Sequence, residues 1–470
     1  MRRRGTTRAA VGSAVVTLVA GILATASPGP AAAAPLGATG KTRVIVVDDD
    51  RVQCATADFT SIQEALDVAS DGDRVRVCAG LYREAVVIDE SVTLQGEVGA
   101  VASLDCLDPA PSALGDLDPS RFAVVQPPAG ELFDGVPLVR IAADDVVVTG
   151  LALEGYTDSV VDTTEGVTLY DAAVSVANSW SRTRLHHNVF RLNTVGVELG
   201  ASASRVDHNC FRDNDFAVAN QRYELTSARI DDNATFRTRV LTWEIGWSYR
   251  KASMITVDHN LSHDLGVGVA GVDHADAVTI SANTMTTRGR GVSVGVANTD
   301  LHILGNVITG LEPTGGTNGI LVLPLNGGVP TAGLVVSDNH ISNMRVTLGR
   351  GIAVTVNSRP VGAVITGNVL TGNVQGLTVA AGTQGATISA NRATDNTGHG
   401  IWLQPGTSGN VLTDNVALRN GSPPAAADAR DDNLPGAPGA AANQWIRTTC
   451  VTDLPTGAIC TPPEDAGTGG

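Results

Sequence analysis

A recurring asparagine constrains the fold of this chain more than any other feature of its sequence. Ten short segments, from LHHNVF at 185 to LTDNVA at 412, each carry an aliphatic residue three positions before an asparagine. The ten asparagines are Asn188, Asn209, Asn233, Asn260, Asn283, Asn306, Asn339, Asn368, Asn391 and Asn415. Their successive spacings are 21, 24, 27, 23, 23, 33, 29, 23 and 24 residues. A repeat of roughly 20–50 residues is typical of stacked architectures.

Each repeat contains short runs of alternating Val or Ile, and these runs predict strands. In several repeats a glycine about eight residues after the asparagine opens such a run: Gly196, Gly268, Gly291 and Gly376. Short strands bounded by Gly, Asn and Asp, with no helical pattern between them, exclude a doubly wound α/β fold. They predict an all-β fold, a right-handed parallel β-helix in which coils stack about 4.8 Å apart.

The asparagines themselves are predicted to turn inward at a corner of the coil. A buried amide needs hydrogen-bond partners, and its own copies in the neighbouring coils can supply them. We therefore expect a ladder of asparagines along the helix axis. Asparagine as a simple turn marker would not explain the aliphatic residue at one constant offset.

The first 34 residues have the layout of a signal peptide. Four arginines precede position 9, residues 11–26 are mostly apolar, and Ala31–Ala34 offers small residues for cleavage. We expect the remaining chain to form a β-helix over 35–420, followed by a flexible tail over 421–470. Residues 421–443 of this tail are rich in Pro, Ala and Gly, and the tail ends in a Cys450–Cys460 disulfide loop. No later run is long and apolar enough to span a membrane, so we expect a secreted, extracellular protein.

Charge and cysteine content narrow the partners further. The formal net charge of −16 argues against nucleic acid, because phosphates require a basic surface. We expect a monomer without nucleic-acid or membrane partners. Six cysteines in an exported chain indicate disulfides. The predicted pairs are Cys450 with Cys460, Cys54 with Cys78 and, by elimination, Cys106 with Cys210.

One helix is predicted, over residues 58–70. Thr60 and Ser61 stand three residues before Gln63 and Glu64, which is a capping-box pattern. The open end of a solenoid exposes core residues and strand edges. We expect this helix to cover them.

The run FTSIQEALDVASDGDRVRVCAGLYREAVVIDESVTLQG resembles the opening of the pectin methylesterase and pectate-lyase-like β-helix superfamily. Its Ile-Gln-x-Ala, Gly-Asp, Gly-x-Tyr-x-Glu and Leu-x-Gly elements follow that superfamily's order over about forty residues. The resemblance implies the first coils of a pectin lyase-like β-helix. The esterase's catalytic Gln-Asp-Thr has no counterpart here, so the resemblance assigns no reaction. ANQWIRTTC…TGAIC at the end resembles the ending of bacterial exported β-helix repeat proteins.

A charged panel on four adjacent repeats is the candidate site. Positions four and two before the asparagine are predicted to point outward, and in four consecutive repeats they are Arg184 and His186, Arg205 and Asp207, Arg229 and Asp231, and Thr256 and Asp258. Coil stacking would set Asp207 and Asp231 about 5 Å apart, and Asp207 and Asp258 about 10 Å apart. These separations match the carboxylate pairs of glycosidases.

The panel supports an acid/base hypothesis for a polysaccharide. The candidate catalytic residues are Asp207, Asp231, Asp258, Arg205, Arg229 and His208. Carboxylates this close would raise one pKa or recruit Ca²⁺, the one cofactor that we consider. The candidate substrate-binding residues are Trp243, Trp247, Tyr249 and Lys251.

Two functions follow from the panel. One is an exported enzyme that modifies an extracellular polysaccharide as a lyase, hydrolase or epimerase. The other is a non-catalytic solenoid for glycan or matrix adhesion, in which the arginines and aspartates only neutralise one another. A cleft walled by Trp243 and Trp247 over the aspartates would favour the enzyme, and a flat, uniformly paired face would favour the binder.

Overall fold

The strands of this protein stack in parallel along one axis. The computed structural model describes residues 42–108, 117–129, 136–157, 159–162, 167–243, 252–312, 316–322, 331–345, 352–356, 362–421, 424–433, 443–461 and 463. In these residues two large parallel sheets, of 16 and 25 strands, are linked by short turns. The predicted right-handed parallel β-helix is confirmed.

Sheet 1 is the 16-stranded sheet, and its strands lead into the asparagines. They are Val44–Val47, Arg74–Val77, Thr93–Gln95, Val147–Thr149, Arg184–His186, Arg205–Asp207, Leu225–Thr226, Arg229–Asp231, Ala252–Asp258, Ala275–Ser281, Thr299–Leu304, Val335–Ser337, Val364–Thr366, Thr387–Ser389, Val411–Thr413 and Gln444–Ile446.

Sheet 2 is the 25-stranded sheet and consists of two stacks of strands. Because sheet 1 is the first stack of the β-helix, we call these two the second and third stacks. The second stack follows the asparagines and contains Gly80–Arg83, Ala123–Gln126, Leu151–Glu154, Val189–Arg191, Cys210–Arg212, Ala234–Phe236, Val307–Gly310, His340–Ser342, Val369–Thr371, Arg392–Thr394 and Val416–Leu418. The third stack contains Val86–Ile88, Val139–Ile141, Ala172–Val176, Val195–Leu199, Phe216–Ala219, Val240–Trp243, Asn318–Val322, Ile352–Val356, Gln375–Val379, Ile401–Leu403, Ala429–Asp431 and Asp453–Leu454. Two long strands, Leu261–Val272 and Thr284–Val294, run through both stacks. A small antiparallel pair, Ser159–Asp162 with Val167–Tyr170, stands apart from the coils.

The repeat register is the one that the sequence predicts. Leu185 pairs with Val206, Val206 with Ile230, and Ile230 with Val257. These four side chains are at most 2% exposed and belong to the core that fills the coil. Aliphatic residues recur at this offset because each coil must bury one side chain against the coil below.

The predicted asparagine ladder is present over all ten repeats. Each amide Nδ2 donates to the Oδ1 of the next asparagine at 2.9–3.1 Å, from Asn188 to Asn415. The same Oδ1 accepts the backbone N–H of the preceding asparagine. The ladder therefore satisfies buried polar groups at the corner where sheet 1 meets the second stack.

The residue before each ladder asparagine adopts a left-handed conformation. Its φ is between 52° and 67° in all ten repeats, at His187, His208, Asp232, His259, Ala282, Gly305, Asp338, Gly367, Ala390 and Asp414. This conformation turns the chain through the corner. Asn, Asp and His tolerate it better than bulky residues do, which explains the polar residues found here.

The N-terminal motif builds the first coils. The helix covers only Ile62–Leu66, shorter than the predicted 58–70, because the chain turns from Asp67 onward. Ser61 accepts the N–H of Glu64, and the Glu84 carboxylate accepts the N–H groups of Ile62 and Gln63 at 2.8 and 3.1 Å. The glutamate of Gly-x-Tyr-x-Glu thus caps the helix, so the motif has a structural role here. A second helix, Val98–Ala102, lies on the outer side of the second stack.

The described ends of the chain differ in part from the expectations. Three disulfides join the expected pairs, Cys54–Cys78, Cys106–Cys210 and Cys450–Cys460. The expected flexible tail 421–470 instead contains three strands that pair with the last coils, so the β-helix extends to Leu454. The predicted signal peptide 1–34 lies outside the described residues. Neither helix in the described part of the chain has the length and hydropathy needed to cross a bilayer.

Candidate functional site

The charged panel lies on sheet 1, with its side chains in vertical columns as expected. His186 pairs with Asp207, Asp207 with Asp231, and Asp231 with Asp258 on neighbouring strands. Arg184, Arg205 and Arg229, two residues earlier on the same strands, form a second column beside them. The sequence therefore located the panel correctly.

Each panel aspartate is held by the arginine of the preceding coil. Arg184 donates through Nε and Nη2 to both oxygens of Asp207, at 2.9 and 2.8 Å. Arg205 grips Asp231 at 2.9 and 2.5 Å, and Arg229 grips Asp258 at 3.0 and 2.7 Å, in the same manner. The carboxylates of Asp207 and Asp231 have no exposed surface, and that of Asp258 is 7% exposed. The panel therefore consists of three bidentate ion pairs, each of which joins neighbouring coils.

This pairing sets the charge state of the aspartates. Burial by itself would raise the pKa of Asp207, but the hydrogen bonds from Arg184 and His208 outweigh it and lower that pKa. The pKa of Asp258 is lowered in the same way by Arg229 and His259. The expected rise of a panel carboxyl pKa is therefore wrong for these two residues. A fully paired carboxylate of low pKa is poorly suited to donate a proton.

Among the described residues, the panel side chains do not form a group of three or more acidic, His or Cys ligands. Across the described residues, one group of three acidic, His or Cys side chains brings its ligand atoms within 4.8 Å of one another, namely Asp48, Asp49 and Asp50. These residues follow the first strand of sheet 1, several coils from the panel. Possible Ca²⁺ binding at the panel remains a prediction.

Histidines flank the first coils of the panel. Nδ1 of His208 lies 2.9 Å from Asp207, and Nδ1 of His259 lies 2.9 Å from Asp258. His186 and His187 approach each other to 2.8 Å through their Nδ1 atoms, and His187 stacks on His208. Burial, and then Arg184, lowers the pKa of His186 to about 4. Burial and His208 lower the pKa of His187.

The histidine cluster predicts a loss of stability in mild acid. The unfolded chain takes up a proton at position 186 near the ordinary pKa of 6.5, whereas the folded protein does so only near pH 4. Unfolding is therefore favoured progressively as the pH falls from about 6.5 to about 4. We expect His186→Gln to show a smaller fall in Tm than the wild type between pH 7 and pH 5. His340→Gln, at an exposed histidine, is the control, and equal slopes in all three proteins would contradict the assignment.

Of the four predicted substrate-binding residues, one lies within the part of the chain that the structure describes. Trp243 is the last residue of a third-stack strand, and its backbone pairs with Ala219 and Ala270. Trp247, Tyr249 and Lys251 lie outside the described residues. The panel and Trp243 therefore belong to different faces of the β-helix. This arrangement agrees with the paired-face alternative for sheet 1.

A cavity of about 190 Å³ on the third stack is a better candidate site. Outward positions of three adjacent strands form its floor, because Arg140 pairs with Ser175 and Ser175 with Glu198. The adjacent Val174 and Val197 point into the core. The residues of interest that line the cavity are Arg140, Asp171, Ser175, Trp180, Glu198, Arg222 and Tyr223.

Glu198 is the buried acid of this cavity, with 1% of its surface exposed. Its Oε1 accepts the backbone N–H groups of Gln221 and Arg222 at 2.7 and 2.9 Å. Burial raises the pKa of Glu198, and these hydrogen bonds offset only part of that effect. A carboxyl in such surroundings holds its proton at higher pH than an ordinary glutamate does.

Asp171 is the second acid, and Arg222 connects it to the first. The Arg222 guanidinium forms an ion pair with Asp171, while the Arg222 backbone N–H binds Glu198. Asp171 is 2% exposed and immediately precedes the strand Ala172–Val176. Asp171 is thus paired with a cation, whereas Glu198 is desolvated. Such different surroundings suit one carboxyl to act as a base and the other as an acid.

Trp180 and Tyr223 supply the aromatic part of the lining. A Cβ at Gly200 would lie 2.4 Å from Cβ of Tyr223, so glycine is required there for Tyr223 to reach its position. Aromatic rings beside polar groups are well suited to contact the apolar face of a sugar. The cavity can therefore bind one ring and offer it a proton donor and a carboxylate.

The sequence did not predict this site. Asp171, Trp180, Arg222 and Tyr223 lie in turns between stacks, whose lengths vary from coil to coil. Glu198 had a usable signal, because it is a lone charged residue in the apolar strand VGVEL.

Comparisons with known proteins place the fold in context. The family model described as "Periplasmic copper-binding protein (NosD)" matches residues 312–434. No curated protein sequence matches the chain.

Several solved structures are similar to this one. DFA-IIIase from Arthrobacter chlorophenolicus A6 is 14% identical, with a TM-score of 0.44, 78% of this chain covered and 93% of that one. The PL6 family alginate lyase AlyGC is 15% identical, with a TM-score of 0.46, 87% of this chain covered and 53% of that one. The catalytic unit of the GH87 alpha-1,3-glucanase from Streptomyces thermodiastaticus is 13% identical, with a TM-score of 0.44, 90% of this chain covered and 71% of that one. Likeness at this level assigns no activity to the chain.

Proposed function

We propose that this protein is an exported enzyme that binds a carbohydrate in the third-stack cavity and acts on it by acid/base chemistry. Glu198 serves as the proton donor, and Asp171 is the carboxylate held by Arg222. Trp180 and Tyr223 contact the sugar ring. The observation that carries the proposal is the pairing of a desolvated glutamate with an arginine-bound aspartate in one aromatic-lined cavity.

The size of the cavity limits what it encloses. Pockets for drug-sized ligands measure roughly 300–1,000 Å³, so a cavity of about 190 Å³ accommodates about one sugar ring. The rest of a longer glycan would lie along the outer face of the third stack. Export is supported by the three disulfides, which are typical of oxidising compartments.

Copper binding, which the matching family description names, has little support among the described residues of 312–434. Met344 is completely buried in the core. His399 accepts the N–H of Ala427 at Nδ1, and its Nε2 lies 3.3 Å from the Arg430 guanidinium. His340 is exposed on a separate coil. Copper prefers grouped imidazole and sulfur ligands, and these residues do not form such a group.

A glycan screen tests the proposal. Purified protein is incubated with pectins, alginates, glucans and glycosaminoglycans, with and without Ca²⁺, while binding and product formation are followed. We expect Trp180→Ala to weaken binding of the active glycan about 10-fold, equivalent to about 1.4 kcal/mol, because stacking is lost.

The control is Trp402→Ala, which removes a tryptophan whose indole N–H is bound to Asp432 on a distant coil. This variant should keep the wild-type affinity. A protein that neither binds nor converts any of these glycans would contradict the proposed function. Binding without conversion would support the adhesion alternative in its place.

A further inference from the structure

The cavity contains one cation, Arg140, that has no ion-pair partner among the described residues. Arg222 is paired with Asp171. Burial raises the pKa of Glu198, which favours the neutral form of that side chain. Arg140 is exposed at the cavity and makes no ion pair or hydrogen bond within the described part of the chain. Some other arginines of the protein do bind a carboxylate through two hydrogen bonds, as Arg182 does with Asp145. Arg140 leaves the cavity with an uncompensated positive charge.

The position of Arg140 relative to the acid is set by the strand register. Arg140, Ser175 and Glu198 occupy equivalent outward positions on consecutive strands. With strands about 4.8 Å apart, the backbones of Arg140 and Glu198 are about 10 Å apart. A sugar ring that contacts Glu198 would therefore direct its neighbouring substituents toward Arg140.

We infer that the carbohydrate taken by this cavity carries an anionic group, a carboxylate or a sulfate ester, which pairs with Arg140. This inference rests on the proposed function and adds the substrate class to it. A guanidinium presents two parallel N–H donors, which match the two oxygens of either group. Arg140 is a specificity residue in this account, because proton transfer is left to Glu198 and Asp171.

The net charge of the whole chain makes Arg140 more important for recognising an anionic sugar. With a net charge of −16, the protein has no broad basic field to attract polyanions. Selectivity for an acidic sugar would therefore depend on one local ion pair. Replacing Arg140 alone should remove most of that selectivity.

The test compares three oligosaccharides of equal length, one neutral, one with uronic acid units and one sulfated. Their Kd values are measured by calorimetry for the wild type, Arg140→Gln and Arg140→Lys. We expect the wild type to prefer one acidic ligand, and Arg140→Gln to bind that ligand about 10-fold or more weakly, since the charge-assisted hydrogen bonds from the guanidinium are lost. The lysine variant should recover part of the loss, and affinity for the neutral ligand should not change. Arg83→Gln, at an exposed arginine of the second stack, is the matched control.

The two acidic ligands distinguish a carboxylate from a sulfate ester as the recognised group. Equal affinities of the wild type for all three ligands, left unchanged by Arg140→Gln, would overturn this inference while the proposed function stands. Failure of all three, together with failure of the whole glycan screen, would overturn both.

Discussion

Glu198→Gln is expected to reduce turnover of the active glycan about 10²–10⁴-fold, the range in which general acid catalysis contributes. The amide oxygen can still accept the N–H groups of Gln221 and Arg222, so the fold and the affinity for the glycan should be retained. In the wild type, kcat should fall as the pH rises through the raised pKa of Glu198, because the protonated form is the active one. That limb of the pH profile should be absent in the variant.

The control for this experiment is Asp231→Asn, which makes the same chemical change on sheet 1. Asp231 is buried and gripped by Arg205, so we expect this variant to have a lower Tm. Its turnover should match the wild type. The reverse outcome, with turnover lost in Asp231→Asn and kept in Glu198→Gln, would return the active site to the sheet 1 panel.

Asn233→Ala is expected to lower the free energy of unfolding by about 3–6 kcal/mol, since each buried polar group left unsatisfied costs about 1–3 kcal/mol. Oδ1 of Asn233 accepts both the backbone N–H and the side-chain Nδ2 of Asn209 at 3.0 Å. Its Nδ2 donates to the Val206 carbonyl and to Asn260. Alanine would remove all of these bonds from the interior, where water cannot replace them.

Urea denaturation followed by circular dichroism measures this loss. Asn178→Ala is the matched control, because Asn178 is exposed in a turn outside the ladder, and surface substitutions of this kind change stability by less than about 0.5 kcal/mol. A ladder variant as stable as the control would mean that the amide ladder contributes nothing to the fold.

The sequence predicts the repeat because the residues that form each corner lie within a few positions of one asparagine. The corner geometry, the inward aliphatic residue and the amide ladder all act at constant offsets from one asparagine, so spacing alone reveals them. The Arg and Asp columns of sheet 1 follow from the same offsets. A second amide ladder, five residues further on, was missed although its signal is visible: Asn193 bonds to Asn214, and Asn373 to Asn396 and then Asn420.

The candidate site could not be found in this way because its residues keep no common offset. Arg222 and Tyr223 follow a third-stack strand, Asp171 precedes one, and Trp180 lies in a turn. What brings them together is the stacking of coils whose turns differ in length. Charge density directed the prediction to sheet 1, where the Arg and Asp side chains pair with one another. A catalytic role for those residues stays a prediction. Glu198 is the more informative acid because it is buried, and its backbone hydrogen bonds offset only part of the effect of that burial on its pKa.

The most direct test of the account is a crystal structure of Glu198→Gln bound to an oligosaccharide identified in the screen. We predict electron density for a sugar ring in the third-stack cavity, in contact with Trp180 and Tyr223 and with its glycosidic oxygen within hydrogen-bond reach of residue 198. Density for the ring over the Asp207 and Asp231 column of sheet 1, with the third-stack cavity empty, would contradict it.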